Sequence, residues 1–590
     1  MMCKGIIASL KKLNEILNRE QKRSLGCLFS LMLLSATVET FGISLIIPFL
    51  GLLTDPDRVL SGEIGAIINN IFMLSQTNQF LILFTVLLIF AFAVKYFTSY
   101  ILAVKQTNFI NRNRFAMAKQ MMIYRIREEY EDHLYRNITE DIDLVTTYVT
   151  WTFELIRAFL SVSVNLLRVL VLSIFMLLID TRITLIFSAC ITVLYLGFHW
   201  LLGGKLKRAG EEANKTWEEY DKTISESFIL KKENDVFKRN DLIFNQFCYF
   251  GKSNIGADEK KVKYSSIPGL SISLIFVWAI LFYVLFSLIR GKDIISNLGT
   301  LSAFYLAAVR IMPGMTAVYS CLQDFTFYTP SLERVYEVIK GVDDMPQTDT
   351  LNRRTRVMYS SIDLVDVSFC YKNAGKPVLE HIDLQIRCGE RIGVFGKTGS
   401  GKTTLINLII GLIRPQTGEI RVDDLPLEGR EILDVGYVPQ DTNLLDATIR
   451  ENIVFGRQIS DTDLSRAIED AGLGDLIRKQ PDGLDTEIGA QGMRLSGGQR
   501  QRIGIARALV GSPSVLIFDE ATSSLDIHTE QEIIRTIKAL QRDRTVILVS
   551  HRPNTLQYCD RWFSVENGTL KQESGVTVQQ EMGHPEGETV

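Results

Sequence analysis

The stretch "RIGVFGKTGSGKTTLINLII" sets Gly396, Lys397, Thr398, Gly399, Ser400, Gly401, Lys402 and Thr403 in the order G-x-x-x-x-G-K-T. The apolar run Ile392 to Phe395 precedes it and a helical pattern beginning at Thr404 follows. In that context a glycine-rich turn offers backbone N–H donors to β- and γ-phosphates, Lys402 adds positive charge, and the Thr403 hydroxyl suits a magnesium ion. A second stretch, "SVLIFDE", ends an apolar strand in Asp519 and Glu520. Asp519 suits the surroundings of the magnesium, and Glu520 is placed to polarise an attacking water as general base. A third, "LSGGQRQR", lets Ser496, Gly497, Gly498 and Gln499 open a helix whose N-terminus presents its dipole and N–H donors to another phosphate. One P-loop already takes one side of a nucleotide, so a second phosphate clamp implies a second subunit.

These groups need a scaffold, and the 590-residue chain is long enough for two or more domains. After a polar connector around Thr329 to Met358, short β runs alternate with helical patterns, which is the signature of an α/β fold. The N-terminal half reads differently. A spanning helix takes about 20 mostly apolar residues, and six stretches qualify: about 25–53, 80–104, 158–179, 183–203, 267–289 and 299–322. The loops after the second and fourth run to roughly 50 to 60 residues and are rich in Lys and Arg, so they and both termini are expected in the cytoplasm. Those loops look helical, and a loop of about 50 residues that goes out and returns extends two helices by roughly 35 to 40 Å past the bilayer. Ahead of the first span, Ile6, Leu10, Leu13 and Leu17 fall at helical spacing among lysines and arginines, as in an amphipathic helix on a membrane surface. The formal charge of −3 gives no reason to expect nucleic acid. The eight cysteines are scattered, without a disulfide framework or metal-ligand spacing, which fits a reducing compartment.

With these motifs in this order, the chain resembles the ATP-binding-cassette (ABC) superfamily and, over its whole length, an exporter half-transporter of six helices plus one cassette. The resemblance implies ATP and Mg2+ as cofactors. It also gives roles to further positions. Tyr371 in "VSFCY" resembles the aromatic that stacks on adenine, and Gln440 in "GYVPQD" the glutamine that couples magnesium to the membrane domain. Glu487 in "TEIGAQG" resembles the loop that reaches the helical extensions, Asp526 in "SSLD" the dimer contact, and His551 in "LVSHR" the γ-phosphate switch. "TEIGAQG" departs from the Glu-Arg pair that many exporters carry there. The nucleotide-binding set is thus Tyr371, Gly396 to Thr404 and Ser496 to Gln499, with Glu520, His551, Lys402 and Gln440 catalytic and Thr403, Gln440 and Asp519 on the metal. Since this one cassette carries a complete set, a homodimer is expected, with a heterodimer as the alternative.

The expected architecture is a multi-domain chain: residues 1–24 an amphipathic membrane-surface helix, 25–326 a polytopic α-helical membrane domain with long cytoplasmic extensions, 327–358 a linker, 359–576 an α/β P-loop ABC nucleotide-binding domain, and 577–590 a polar tail. Substrate choice belongs to the membrane half. Glu39 lies mid-run in "LLSATVETFGISLIIPF" with Ser35, Ala36 and Gly42 on its face, and a charge at that depth costs roughly 2.5 to 3.5 kcal/mol on insertion scales. Glu154, Arg157, Ser161, Asn165 and Arg168 make one face of the third span polar; Lys95 and Arg310 add cations on the second and sixth. Three cations, Lys95, Arg168 and Arg310, against one anion suit an anionic or amphipathic substrate such as a phosphate-bearing lipid. In the other reading Glu39 pairs with Arg168 or Arg310 and the rest snorkel. The stretch "ETFGISLIIPFL" is weakly similar to lipid-linked-oligosaccharide flippases. With only about 24 residues ahead of the first span, a processing peptide exporter is not expected; export of a mature peptide, lipopeptide or drug stays open, as does an ATP-gated channel or regulatory membrane ATPase. The expected setting is the bilayer of a bacterial inner membrane.

Overall fold

The computed structural model describes residues 2–46, 77–136, 138–179, 181–289, 328–341, 360–372, 374–427, 434–489, 492–521, 544–550 and 556–574, with isolated positions in between. Its contacts divide into two units: Met1–Ile126 with Asn137–Gln347, and Arg127–Arg136 with Thr348–Val590.

The first unit is helical. Helix α1 (Met2–Ile16) ends at a break, and α2 (Arg19–Ser44) restarts where Asn18 and Gln21 cap each other, Asn18 Oδ1 accepting from the Gln21 N–H at 2.8 Å and Gln21 Oε1 from the Asn18 N–H at 2.9 Å. The first apolar helix therefore begins at Arg19, six residues earlier than hydropathy suggests. Helix α1 turns its apolar face inward. Leu13 and Leu17 are buried, Leu13 in a cluster with Leu332 and Val335 from the helical residues 328–341, and Lys12 pairs with Glu333 at 3.0 Å.

Helix α3 (Thr77–Arg127) has 51 residues. At 1.5 Å each that is about 76 Å, more than twice a bilayer core of about 30 Å. A short helix, α4 (Tyr130–Leu134), follows, then α5 (Ile138–Asp143), a π-helical turn (Leu144–Tyr148) and α6 (Val149–Ile179). Helices α7 (Thr181–Ile229) and α9 (Asn240–Ile289), joined through α8 (Lys231–Val236), pack along each other; Tyr220 meets Phe247 with ring centroids 5.0 Å apart, and Lys260 bridges to Glu212 at 3.0 Å. Among the described residues, three helices are long and apolar enough to cross a membrane, at Arg19–Gly42, Asn78–Arg127 and Ile138–Leu177. The fourth and fifth expected spans fall within α7 and α9; the sixth lies mostly outside the described residues. One isolated position there is informative. A Cβ on Gly314 would come within 2.8 Å of Val169 Cγ2, so the sixth segment approaches α6 closely at this small residue.

In the second unit, β1 (Ser361–Phe369) pairs antiparallel with both β2 (Leu379–Arg387) and β4 (Thr417–Val422), and β5 (Leu425–Pro426) extends β4. The larger sheet has the order β10-β9-β3-β8-β7-β6, from β3 (Arg391–Phe395), β6 (Val435–Val438), β7 (Val515–Asp519), β8 (Thr545–Val549), β9 (Arg561–Glu566) and β10 (Thr569–Glu573). Every pairing in it except β9 with β10 is parallel. Parallel strands are buried on both faces, and β7 and β8 are buried throughout, as their unbroken runs "VLIF" and "TVILV" require. Helix α10 (Lys402–Ile410) fills the space between the two sheets with Leu405, Ile406, Leu408 and Ile409, while α11 (Ile449–Val454), α12 (Asp461–Asp470), α13 (Gly474–Arg478) and α14 (Gly497–Leu509) carry the opposite face.

Candidate nucleotide site and membrane charge cluster

The carboxyl ends of β3, β7 and β8 lie side by side, the place where parallel α/β sheets bind ligands. The chain leaves β3 through Gly396 at φ +151°, Gly399 at +79° and Gly401 at +107° before entering α10. Gly396 is required for space as well as conformation, since a Cβ there would stand 2.5 Å from the Val565 carbonyl oxygen. The turn thus exposes Lys397, Thr398 and Gly399 at the N-terminus of a helix, with Thr403 exposed on its first turn and Thr404 buried.

Lys402 is buried and donates through Nζ to the carbonyl oxygens of Gly396 at 2.8 Å and Lys397 at 3.0 Å. Glu520 Oε1 lies 3.7 Å from the same Nζ. Burial holds the Lys402 ammonium below its ordinary pKa, and the Glu520 charge opposes that shift. Asp519, also buried, is pushed above the usual carboxylate range by burial, against a hydrogen bond from Tyr437 Oη to its Oδ2 at 3.1 Å. Glu520 follows with φ +48°, and its backbone N–H donates to the Val549 carbonyl at 3.0 Å. A non-glycine residue in this left-handed region is uncommon and points its side chain away from the strand direction. Gln440 is exposed just past β6.

The residues expected to open a second phosphate clamp do cap a helix. Ser496 is the N-cap of α14: its Oγ accepts from the Gln499 N–H at 3.3 Å, and Gln499 Oε1 accepts from the Ser496 N–H at 2.8 Å. Gly497 and Gly498 form the first turn. Arg507, farther along α14, donates to the carbonyls of Asn443 and Asn452 and so ties this helix to α11 and to the segment before it. Glu487 is exposed and pairs through its backbone with Thr448. Asp526 and His551 lie outside the described residues.

Tyr371 Oη shares a 3.1 Å hydrogen bond with Thr404 Oγ1, which brings the ring to the first turn of α10, and Phe369 packs edge-on against it with centroids 4.9 Å apart. The segment Arg127–Arg136 belongs to this same unit. Its Tyr135 packs edge-on against Tyr371 at 6.5 Å, Asp132 pairs with Lys372, and Glu129 with Arg414 at 3.5 Å. Sequence reading missed Tyr437 and this segment. For Tyr437 a signal existed, because alternation along β6 puts its side chain opposite buried Gly436 and Val438.

In the first unit, Glu39 is buried between two cations, Lys95 Nζ at 3.4 Å from Oε1 and Arg168 Nε at 3.1 Å from Oε2. Arg168 was one of the two expected partners; Arg310, the other, lies outside the described residues. Lys95, expected as a separate cation, shares the carboxylate, and its ammonium also stands over the Phe92 and Tyr96 rings at 5.4 and 5.3 Å. Farther down α6, Glu154 and Arg157 pair with each other at 3.1 Å. Ser35, Ala36 and Gly42 are all buried, as the small-residue face requires, and a Cβ on Gly42 would meet no atom within 4 Å. Glu39→Gln removes the carboxylate charge that Lys95 and Arg168 share, and breaking a buried pair costs about 3 to 5 kcal/mol. The variant should therefore unfold at a clearly lower temperature in detergent, and Lys95→Met should partly restore it; an unchanged midpoint for Glu39→Gln would remove the cluster from the stability account.

A phosphate cradle, a buried Asp-Glu strand end and a capped Ser-Gly-Gly helix define the ATPase cassette of a membrane transporter once they stand on one chain with apolar helices of spanning length. The comparisons with known proteins agree. The ABC transporter family matches residues 379–523. The chain is 29% identical to the ATP-dependent lipid A-core flippase of Methylobacillus flagellatus over 67% of this chain and 67% of that one. It is 36% identical to the alpha-hemolysin translocation ATP-binding protein HlyB of Escherichia coli O157:H7, over 47% of this chain and 40% of that one. The solved structure of a bacterial Atm1-family ABC exporter with ATP bound superposes with a TM-score of 0.73 at 19% identity, covering 96% of this chain and 97% of that one, and so shares the fold. Residues 379–523 thus carry an ABC transporter domain, and the likenesses support an ABC exporter half-transporter, an integral membrane protein whose ATPase is coupled to transport.

Proposed function

We propose that two copies of this chain form the working transporter and that it moves an amphipathic, anionic substrate, with a phosphate-bearing or oligosaccharide-bearing lipid as the first candidate, out of the cytoplasmic leaflet. The observation that carries the substrate reading is the Glu39 cluster. Lys95 and Arg168 place two positive charges on one carboxylate, and Arg168 keeps 29% of its side-chain surface accessible against 6% for both others. A guanidinium paired through Nε with part of its surface still accessible is suited to a phosphate or carboxylate headgroup. The flippase likeness supports a lipid; the likeness to a translocation protein favours, as the second reading, a mature peptide, lipopeptide or drug. A gated channel or regulatory ATPase is the alternative of a different class. The Lys- and Arg-rich long loops support cytoplasmic termini; six spans in a bacterial inner membrane complete the reading.

In each nucleotide site, Gly396 to Thr404 of one protomer hold the phosphates of ATP, Tyr371 stacks on its base, and Ser496 to Gln499 of the other protomer close over it. Lys402 shifts its donors from the Gly396 and Lys397 carbonyls to phosphate oxygens, which also frees Glu520 to act as general base on water. Thr403, Asp519 and Gln440 supply the oxygens for Mg2+. An exposed hydroxyl, one buried carboxylate and an amide fit a cation that prefers oxygen and keeps part of its shell for phosphate and water. When bound, the ion neutralises charge developing on the phosphates. His551 reads the γ-phosphate, and the Arg127–Arg136 segment, packed on Tyr371, passes nucleotide occupancy to the helices that continue from it.

The test is a panel of anionic lipids, glycolipids and peptides added to the transporter in proteoliposomes. An anionic amphiphile should raise ATPase activity several-fold, and Arg168→Ala should lose the stimulation while keeping the basal rate. Stimulation that survives in Arg168→Ala would separate the cluster from substrate binding.

A further inference from the structure

Outside both sites, the first unit holds a cavity of about 500 Å3 bounded by the π-helical turn Leu144–Tyr148, the end of α7 and residues 330–334. That volume is in the range of small-molecule sites. Its walls combine two kinds of group. Tyr148, Trp151 and Trp217 bring aromatic faces, with Tyr148 and Trp151 centroids 6.5 Å apart. Asp143, Asp221 and Glu226 bring carboxylates, and Asp143 and Asp221 are close enough to act on each other's charge.

The positive groups on the lining do not balance them. Arg334 is engaged with Glu140 at 3.4 Å, which leaves Lys222 against three carboxylates. Asp143 accepts a hydrogen bond from Thr147 Oγ1 at 3.0 Å, while Asp221 and Glu226 have no ion-pair partner among the described residues. Uncompensated negative charge beside aromatic faces favours a cation with an apolar body, because the carboxylates attract its charge and the ring quadrupoles accept its weakly hydrated surface. A strongly hydrated metal ion gains nothing from tryptophan, and no cluster of His, Cys, Asp and Glu suited to a metal occurs among the described residues. The π-turn adds a reason for the hollow. Its extra residue per turn widens the helix at this wall, and such turns recur at functional sites.

We propose that this cavity binds an organic cation, of the quaternary-ammonium or hydrophobic-amine class, at a site separate from the Glu39 cluster and of opposite charge preference. It lies on the part of α7 beyond its apolar stretch, so a ligand there would bear on the helical extensions and not on the membrane cargo path.

The experiment titrates benzyltrimethylammonium into the full-length transporter in nanodiscs, reading intrinsic tryptophan fluorescence and binding heat, with neopentylbenzene as the neutral isostere. Binding should saturate, exceed that of the isostere about tenfold, and fall about tenfold in Asp221→Asn with Glu226→Gln and again in Trp217→Ala, but little in Trp217→Phe. Lys222→Ala, which removes the opposing charge, should tighten it about threefold, so a gain of affinity is measurable even where an acid variant folds poorly. Equal affinity for the neutral isostere, affinity indifferent to Asp221, Glu226 and Lys222, or displacement by Ca2+ at equal concentration would each overturn the assignment.

Discussion

Glu520→Gln should bind ATP as the unaltered chain does and hydrolyse it about 10^2 to 10^4 times more slowly, the range associated with removing a positioned general base. The size of the effect follows from how little else can change. The Glu520 backbone is held by its N–H bond to Val549 in a left-handed conformation set by the end of β7, so glutamine enters the same position with nearly the same shape. It loses only basicity and the charge that faces Lys402 across 3.7 Å. Losing that charge removes a competitor for the lysine, so nucleotide affinity should hold or rise. With binding intact and hydrolysis blocked, the two cassettes should stay closed on ATP, visible as nucleotide retained through gel filtration. Near-normal turnover would take Glu520 out of the base role.

Lys402→Ala should weaken ATP binding about 10- to 150-fold, from the 1.5 to 3 kcal/mol that a hydrogen bond to a charged group contributes. Two roles end together in this variant. The ammonium that bonds the Gly396 and Lys397 carbonyls shapes the turn, and the same donors are those expected to meet phosphate. Equilibrium binding of a fluorescent ATP analogue without hydrolysis reads the affinity directly. Lys402→Arg separates the roles: it keeps the charge but cannot occupy the buried site without displacing the turn, so it should bind little better than alanine. Unchanged affinity in Lys402→Ala would count against the phosphate assignment.

The nucleotide half of the chain was legible from sequence because its chemistry is local. Glycines at Gly396 and Gly401, the apolar strand before Asp519 and the S-x-x-Q cap at Ser496 each declare their geometry within a few residues; the structure puts Gly396 and Asp519 at the ends of β3 and β7, on either side of β8, and Ser496 at the start of α14. What escaped depends on distant pairing. Tyr437 and Asp519 are 82 residues apart, and their hydrogen bond follows from β6 lying beside β7, an order no local pattern states. The contact of Tyr135 with Tyr371 is equally remote, since nothing near Tyr135 distinguishes it from other aromatics on an amphipathic segment.

The membrane half shows the same limit in its charges. Spacing along α6 places Arg168 on a polar face, but the choice of Lys95 as a second partner for Glu39 depends on how α2, α3 and α6 pack. Amphipathicity makes α1 a candidate surface helix without saying what covers its apolar side; Leu332 and Val335 cover part of it.

The central claim is that hydrolysis at Glu520 drives an anionic amphiphile across the bilayer in one direction. Proteoliposomes with the cassettes outward, loaded with a fluorescent phosphate-bearing lipid in both leaflets, test it by following protection of the label from a membrane-impermeant quencher after ATP is added. The account predicts ATP-dependent accumulation of label in the inner leaflet, absent in Glu520→Gln and reduced in Arg168→Ala. Equilibration without accumulation, or movement that continues in Glu520→Gln, would contradict it.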